Sequence, residues 1–175
     1  MGFRRMTVSQ TICLCLVAVA SAYDLRTRRI PQVLTLGGAA AGLLFHLALG
    51  GWNAGLASAT GWAIGIALFF LPFALGGLGA GDVKLLGAIG AWLGPMNAVW
   101  VGLYAGAAGG LLAIFVALTK GYLFQAVGNV GVMLAYWRLN GVKPLPEITL
   151  EHSRGPRLAY ALPILAGTMV TLWLK

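Results

Sequence analysis

Acidic side chains are almost missing from this chain: Asp and Glu together number four in 175 residues, and charged residues of all kinds reach only 9%. An ordinary soluble domain carries roughly 25% charged residues, so a soluble globular protein is excluded. Cysteine is scarce as well, with two residues, which excludes a disulfide-stapled scaffold. Histidine also numbers two, and no set of His, Cys, Asp and Glu falls at metal-ligand spacing. There is no Walker-type loop and no Ser/His/Asp arrangement. What is abundant is apolar surface, at 59% hydrophobic residues, 26 glycines and a mean hydropathy of +0.87. A disordered chain does not carry that much. A polytopic membrane protein remains, and at about 20 residues per crossing the length leaves room for six or seven spans.

Apolar runs predict an all-α bundle of about six transmembrane helices in a single domain over residues 1–175, with spans near 6–23, 33–49, 56–77, 80–93, 98–118 and 158–174. The fourth is the shortest. Counted from Asp82 it rises roughly 18 Å against a hydrocarbon core of about 30 Å, so its start is expected to be recessed in the membrane. Residues 121–138 are apolar but carry Gln125 and Asn129 between Lys120 and Arg138, and read as an interfacial helix. Glycines four apart, in Gly38/Gly42, Gly61/Gly65, Gly102/Gly106 and Gly106/Gly110, are expected to mark seams where helix backbones approach closely. Cys13 and Cys15 lie about 200° apart around a helix and cannot pair with each other.

The net charge is +8. The basic residues sit at helix ends rather than in a soluble basic module, which argues against nucleic-acid binding. With the N-terminus outside, one face of the six-span arrangement holds Arg26, Arg28, Arg29, Lys84, Lys120, Arg138, Lys143, Arg154 and Arg157, and the other holds Arg4, Arg5 and Lys175. The positive-inside rule then places both termini outside. Arg4 and Arg5 before an apolar run ending in Ala20-Ser21-Ala22 also resemble a cleavable signal peptide. The three arginines that follow favour an uncleaved first span.

Glu147 and Glu151 lie in the polar stretch 139–157 with His152 and read as solvated. Asp24 and Asp82 are different, because each adjoins or enters an apolar run, where an ionisable residue is costly enough to suggest function. Two complete crossings separate them, so both carboxylates return to the same membrane face. Brought together in a poorly polarisable site, they would titrate as a pair that holds one proton near neutrality. That is the chemistry of an aspartic protease, in which one carboxylate activates water and the other polarises the scissile carbonyl. Gly79 and Gly81 before Asp82 allow an unusual turn and close substrate approach. Pro31 fixes the entry to the second helix. Each feature also has a plainer reading: Asp24 as a helix end beside arginines, Asp82 as an N-cap paired with Lys84, Lys84 as a snorkelling anchor, and His46 as a hydrogen-bonded packing residue.

The segments Asp24-Leu25-Arg26-Thr27-Arg28-Arg29-Ile30-Pro31 and Gly79-Ala80-Gly81-Asp82-Val83-Lys84 resemble the two motifs of the type IV prepilin peptidase family, the G-x-G-D membrane aspartic proteases. The likeness is closest to the short members of tight-adherence (Flp) pilus systems. It extends to Pro156-Arg157-Leu158-Ala159-Tyr160-Ala161-Leu162-Pro163 at the last span. The resemblance implies that Asp24 and Asp82 form the catalytic dyad. Gly79, Gly81, Lys84, Arg26, Pro31, Tyr160 and Pro163 are implied to shape the site or bind substrate.

The implied reaction removes the basic leader of a prepilin or pseudopilin precursor at the cytoplasmic face of a bacterial inner membrane, with the lipid bilayer as surroundings and no cofactor. Gln32 follows the proline where the family usually has asparagine. Longer members carry a cytoplasmic insertion with paired C-x-x-C motifs and N-methylate the product; this sequence has neither feature, so the expectation extends to peptidase activity without a zinc site but not to methyl transfer. Tyr23-Asp24 with Gly79-Ala80-Gly81-Asp82 also looks like the pair of presenilin-type proteases, though the arginine-rich loop fits the prepilin family better. Two readings of other classes compete: a small proton- or cation-coupled transporter using the same aspartates, and a catalytically inactive pilus or secretion assembly factor.

Overall fold

The computed structural model describes residues 6–121, 123–141 and 159–174, and every regular element among them is a helix. The first helix, α1, covers Val8–Thr27. Thr7 starts it with a capping box: the Thr7 hydroxyl accepts from the Gln10 N–H at 3.3 Å and the Gln10 side chain accepts from the Thr7 N–H at 2.9 Å. The helix runs one turn beyond the predicted end at residue 23, so Asp24 lies within its last turn. Arg28 stops it in the left-handed region at φ 54, donating its N–H to the Asp24 carbonyl at 2.9 Å. Only a few per cent of non-glycine residues adopt that conformation.

Pro31 then opens the next helix as its sequence position suggested, its carbonyl accepting from Leu34 at 3.1 Å and Thr35 at 3.4 Å. A π-helical turn, Val33–Gly37, leads into α2, Gly38–Ala74. Gly51 divides α2 into two arms, with φ 68 and ψ −165, a conformation that glycine adopts without penalty. Close to this break the arms face each other, and a Cβ on Gly55 would stand 2.9 Å from Leu47 Cδ1.

Both arms pack along α3, Ala80–Leu93. In the first arm Ala39 meets Ala88 and Ala91, and Gly42 meets Trp92, so this arm runs in the same direction as α3. In the second arm Ser58 bonds the Ala91 carbonyl at 2.7 Å, Gly61 lies on Gly90 and Gly65 on Leu86, so this arm runs the opposite way. The break at Gly51 therefore reverses the chain, between the two runs predicted at 33–49 and 56–77.

The short α3 is the central helix. From Asp82 to Trp92 every residue but Lys84 is buried, with neighbours on the α2 arms, α1, α4 and α6. A helix that is apolar all round belongs in such a place. Gly94, at φ 81, turns the chain into α4, Pro95–Thr119, with proline at the first helical position where its missing N–H costs nothing. Helix α5 covers Leu123–Asn140, and α6 covers Ala161–Leu174, packing mainly on α4 and α1.

Glycine seams hold the bundle together, as lipid offers no hydrophobic force between helices. Gly38 faces Leu16, Gly61 and Gly90 bring two backbones into contact, Gly102 faces Leu68, and Gly167 sits on the α4 backbone. The expectation fails at Gly106 and Gly110, where nothing among the described residues lies within 4 Å of a built Cβ. They are on the side of α4 that no helix covers among the described residues. Outward-facing large apolar side chains such as Val33, Phe124 and Trp173, all more than 80% exposed, suit contact with lipid. Val8–Thr27, Val33–Ala74 and Pro95–Thr119 are long and apolar enough to cross a membrane, and the second of these contains the reversal at Gly51.

His46 has the packing role expected of it, with Nε2 3.0 Å from the Trp92 carbonyl. Cys13 is buried and Cys15 exposed, and both are free thiols. Arg4, Arg5, Lys143, Glu147, Glu151, His152, Arg154, Pro156, Arg157, Leu158 and Lys175 lie outside the described residues.

Candidate functional site

One end of the bundle gathers the N-terminus of α1, the Gly94 turn and the α2 break: Thr7, Gln10, Ala54 and Asn97 share one pocket, while Met6 and Trp173 share a groove. The opposite end gathers the last turn of α1, the end of the second α2 arm, the start of α3, the second half of α4 and the start of α6. These enclose a cavity of about 780 Å³.

Asp24 and Asp82 both line that cavity. They come from different helices, and each side chain is buried, 7% and 8% exposed. Their carboxylates are close enough that the charge on Asp24 acts on Asp82. The two arms of α2, reversed at Gly51, return the chain to this end of the bundle.

Each carboxylate is held by a main-chain N–H at the start of a helix. Oδ2 of Asp24 accepts from the Ala161 N–H at 3.4 Å, and Ser21 Oγ donates to the carbonyl of the same Ala161 at 2.9 Å. Oδ2 of Asp82 accepts from the Gly79 N–H at 3.3 Å, while Gly79 O accepts from the Asp82 N–H at 3.1 Å. Asp82 is thus the third residue of its helix rather than its N-cap, which is Gly79. A partial positive charge at a helix start favours a carboxylate there. The second oxygen of Asp82, Oδ1, is buried and has no hydrogen-bond partner among the described residues. A buried acceptor left unpaired costs about 1–3 kcal/mol, a cost commonly tolerated where a ligand or reactant is to be bound.

The other expected residues divide. Gly79 and Tyr160 line the cavity. Tyr160 stands edge-on to Phe69 with ring centroids 5.8 Å apart, and its hydroxyl donates to the Ala105 carbonyl at 3.4 Å. A Cβ on Gly109 would stand 2.5 Å from the Tyr160 hydroxyl, so the bare backbone there is what seats the ring. Gly81 lies behind the wall against Ile30, with 3.2 Å from a built Cβ to Ile30 Cβ. Pro31 shapes the start of the π turn, Pro163 is buried in α6, Lys84 is half-buried on α3 and Arg26 is exposed; none of the four lines the cavity.

Sequence reasoning missed Arg28, which does line it. The signal was present, since Arg28 follows Asp24 by four residues, one helical turn, whereas Arg26 follows by two and points away. It also missed the apolar wall of Leu68, Phe69, Pro72 and Phe73 and the open glycines of α4. Among the described residues no group of three or more His, Cys, Asp and Glu stands together as a metal site.

Fold and site together define an all-α membrane helix bundle with two buried carboxylates in one cavity at one end. A model of the type IV leader peptidase family matches residues 11–139, and the chain belongs to that family. Among curated proteins, it is similar to the prepilin leader peptidase/N-methyltransferase of Burkholderia pseudomallei, in strains 1026b and K96243. It is 40% identical to each, over 58% of this chain and 36% of the relative, so it spans little more than a third of their length. No solved structure matches it significantly.

Proposed function

We propose that this chain is a membrane aspartic endopeptidase that removes the basic leader from prepilin-like precursors, of the Flp type, at the cytoplasmic face of a bacterial inner membrane. The observation that carries this reading is the placement of two buried aspartates, from helices separated by the two arms of α2, in a single cavity. Family membership supports it. The relatives' printed name includes methyl transfer; the reading here is confined to leader cleavage.

In this reading α1, the two arms of α2, α3, α4 and α6 make six crossings, and α5 lies at the interface. Helix α3 has 14 residues and rises about 21 Å, short of a hydrocarbon core of about 30 Å. Its Asp82 end is then recessed, and water reaches the carboxylates through the cavity. The chemistry uses one ionised and one protonated carboxyl. The ionised carboxylate takes a proton from water, the water oxygen attacks the scissile carbonyl, and the protonated partner donates a hydrogen bond to the developing oxyanion. The tetrahedral intermediate collapses as a carboxyl proton passes to the leaving amine. The Gly79 and Ala161 N–H groups hold one oxygen of each carboxylate and leave the other for this work.

Co-expression with a Flp-type precursor in membranes, read by gel shift and by sequencing the new N-terminus, tests the reading. Cleavage at one bond just before the apolar segment supports it. An intact precursor in membranes that contain the accumulated protein refutes it.

A further inference from the structure

We propose that Gly109 of α4 is a positioning residue for Asp24: its bare backbone seats the Tyr160 ring, and the seated ring aims the peptide N–H that holds the carboxylate. The inference rests on the peptidase reading above and adds an anchor of the site on a helix that carries neither aspartate.

The N–H that donates to Asp24 Oδ2, at 3.4 Å, belongs to the peptide unit joining Tyr160 to Ala161. That unit is planar, so its N–H and the Tyr160 carbonyl move together with the Tyr160 Cα. The carbonyl accepts from the Ile164 N–H at 3.2 Å, which makes this the peptide unit that enters α6. Where the start of α6 sits over α4 therefore decides whether the N–H reaches Asp24.

Two contacts with α4 fix that start. About two turns along α6, a Cβ on Gly167 would stand 2.7 Å from the Ala105 nitrogen and 2.8 Å from the Val101 carbonyl oxygen. At the start itself, a Cβ on Gly109 would stand 2.5 Å from the Tyr160 hydroxyl oxygen and 2.6 Å from both Cζ and Cε2. Ala105 and Gly109, four residues apart, share a face of α4, and both are buried there. The ring lies against that face, with its hydroxyl 3.4 Å from the Ala105 carbonyl and Phe69 edge-on to it at 5.8 Å between centroids. A side chain at position 109 pushes the ring out of this slot. Gly167 still holds the rest of α6 on α4, so the displacement falls on the Tyr160–Ala161 peptide. The hydroxyl bond is long, and it is the outer edge of the ring that Gly109 meets, so the bulk of the ring rather than its proton does the positioning.

Precursor cleavage in membranes is measured as kcat and KM per accumulated molecule for Gly109→Ala, Tyr160→Leu, Tyr160→Phe and the double variant Gly109→Ala/Tyr160→Leu. Gly109→Ala lowers kcat by at least about tenfold, the effect of misplacing a reacting group, while KM stays within about twofold. Tyr160→Leu removes the three atoms that a Cβ at position 109 would strike, and lowers kcat to a similar extent because the seated ring is gone. The double variant is slower than Tyr160→Leu by less than about twofold, since Gly109→Ala has nothing left to push. Tyr160→Phe keeps the ring, and its kcat stays within about threefold of the wild type. Additive losses in the double variant, or losses carried by KM, overturn the proposal. So does a loss in Tyr160→Phe as deep as in Tyr160→Leu, which would make the hydroxyl the working group. If Gly109→Ala does not accumulate, recovery of accumulation in the double variant together with the Phe–Leu difference in kcat supports the seat, and no recovery overturns it. A wild type that leaves the precursor intact is the failure of the peptidase reading; a wild type that cleaves, with any of the overturning patterns, removes the positioning role alone.

Discussion

The backbone N–H of Ala161 donates to Oδ2 of Asp24 across 137 residues of sequence, at 3.4 Å in a buried setting. The carbonyl of the same Ala161 is fixed by the Ser21 hydroxyl, one turn before Asp24 on α1. Ser21 is 2% exposed and has no place in the cavity wall. One residue at the start of α6 is thus held by α1 through both its N–H and its carbonyl, and the carboxylate orientation depends on the grip.

Ser21→Ala removes the anchor and leaves Asp24 untouched. A hydrogen bond of this kind contributes about 1 kcal/mol, and its loss in a positioning role lowers kcat by about five- to tenfold. KM changes by less than about twofold, because the substrate-facing wall is intact. Ser21→Thr restores kcat. A fall in accumulated protein with kcat per folded molecule unchanged would show that Ser21 serves the fold alone.

Gly61 and Gly90 test the helix seam. A Cβ on Gly61 would land on the Gly90 carbonyl, so Gly61→Ala must push the second α2 arm away from α3. Overpacking of this sort costs about 1–3 kcal/mol, visible as a lower Tm in detergent. Gly128→Ala on α5, where nothing among the described residues lies within 4 Å, is the control and leaves Tm unchanged or raised by helix propensity. Equal behaviour of the two variants would mean that the seam is not packed.

Trp92 ties α3 to the first α2 arm. Its indole N–H donates to the Gly38 carbonyl at 2.8 Å, and its ring lies 5.4 Å from that of Phe45. Trp92→Phe keeps most of the volume and leaves the Gly38 carbonyl without this donor, at a cost of about 1–3 kcal/mol. Tm falls while cleavage by the folded fraction persists, since Trp92 is remote from the cavity. Loss of cleavage at unchanged Tm would contradict this division.

Much of the site was legible because parity is a property of sequence. Two apolar runs between Asp24 and Asp82 bring the chain back to the same end of the bundle, and Gly51 makes the reversal that this requires. The shortness of the fourth run was legible too, as α3 has 14 residues. What escaped depends on helix phase and on neighbours. Arg26 was favoured over Arg28, although a four-residue step from Asp24 selects Arg28. Gly102, Gly106 and Gly110 share one spacing in sequence, yet Gly102 is packed and the other two are open. Which side of α4 is covered is decided by Leu68 and by α6, elements far away in the chain. Ser21 gave no signal at all, because its partner Ala161 is brought to it only by the fold.

The central claim is that Asp24 and Asp82 act together on one bond. The most direct measurement compares precursor cleavage by the wild type, Asp24→Asn and Asp82→Asn at matched membrane abundance, with the product's N-terminus sequenced. The account predicts that each single substitution lowers the cleavage rate by at least about a thousandfold, since neither carboxylate replaces the other in both proton transfers. Cleavage at the wild-type rate by either variant would contradict it, and would move ion transport to the front as the role of the two buried carboxylates.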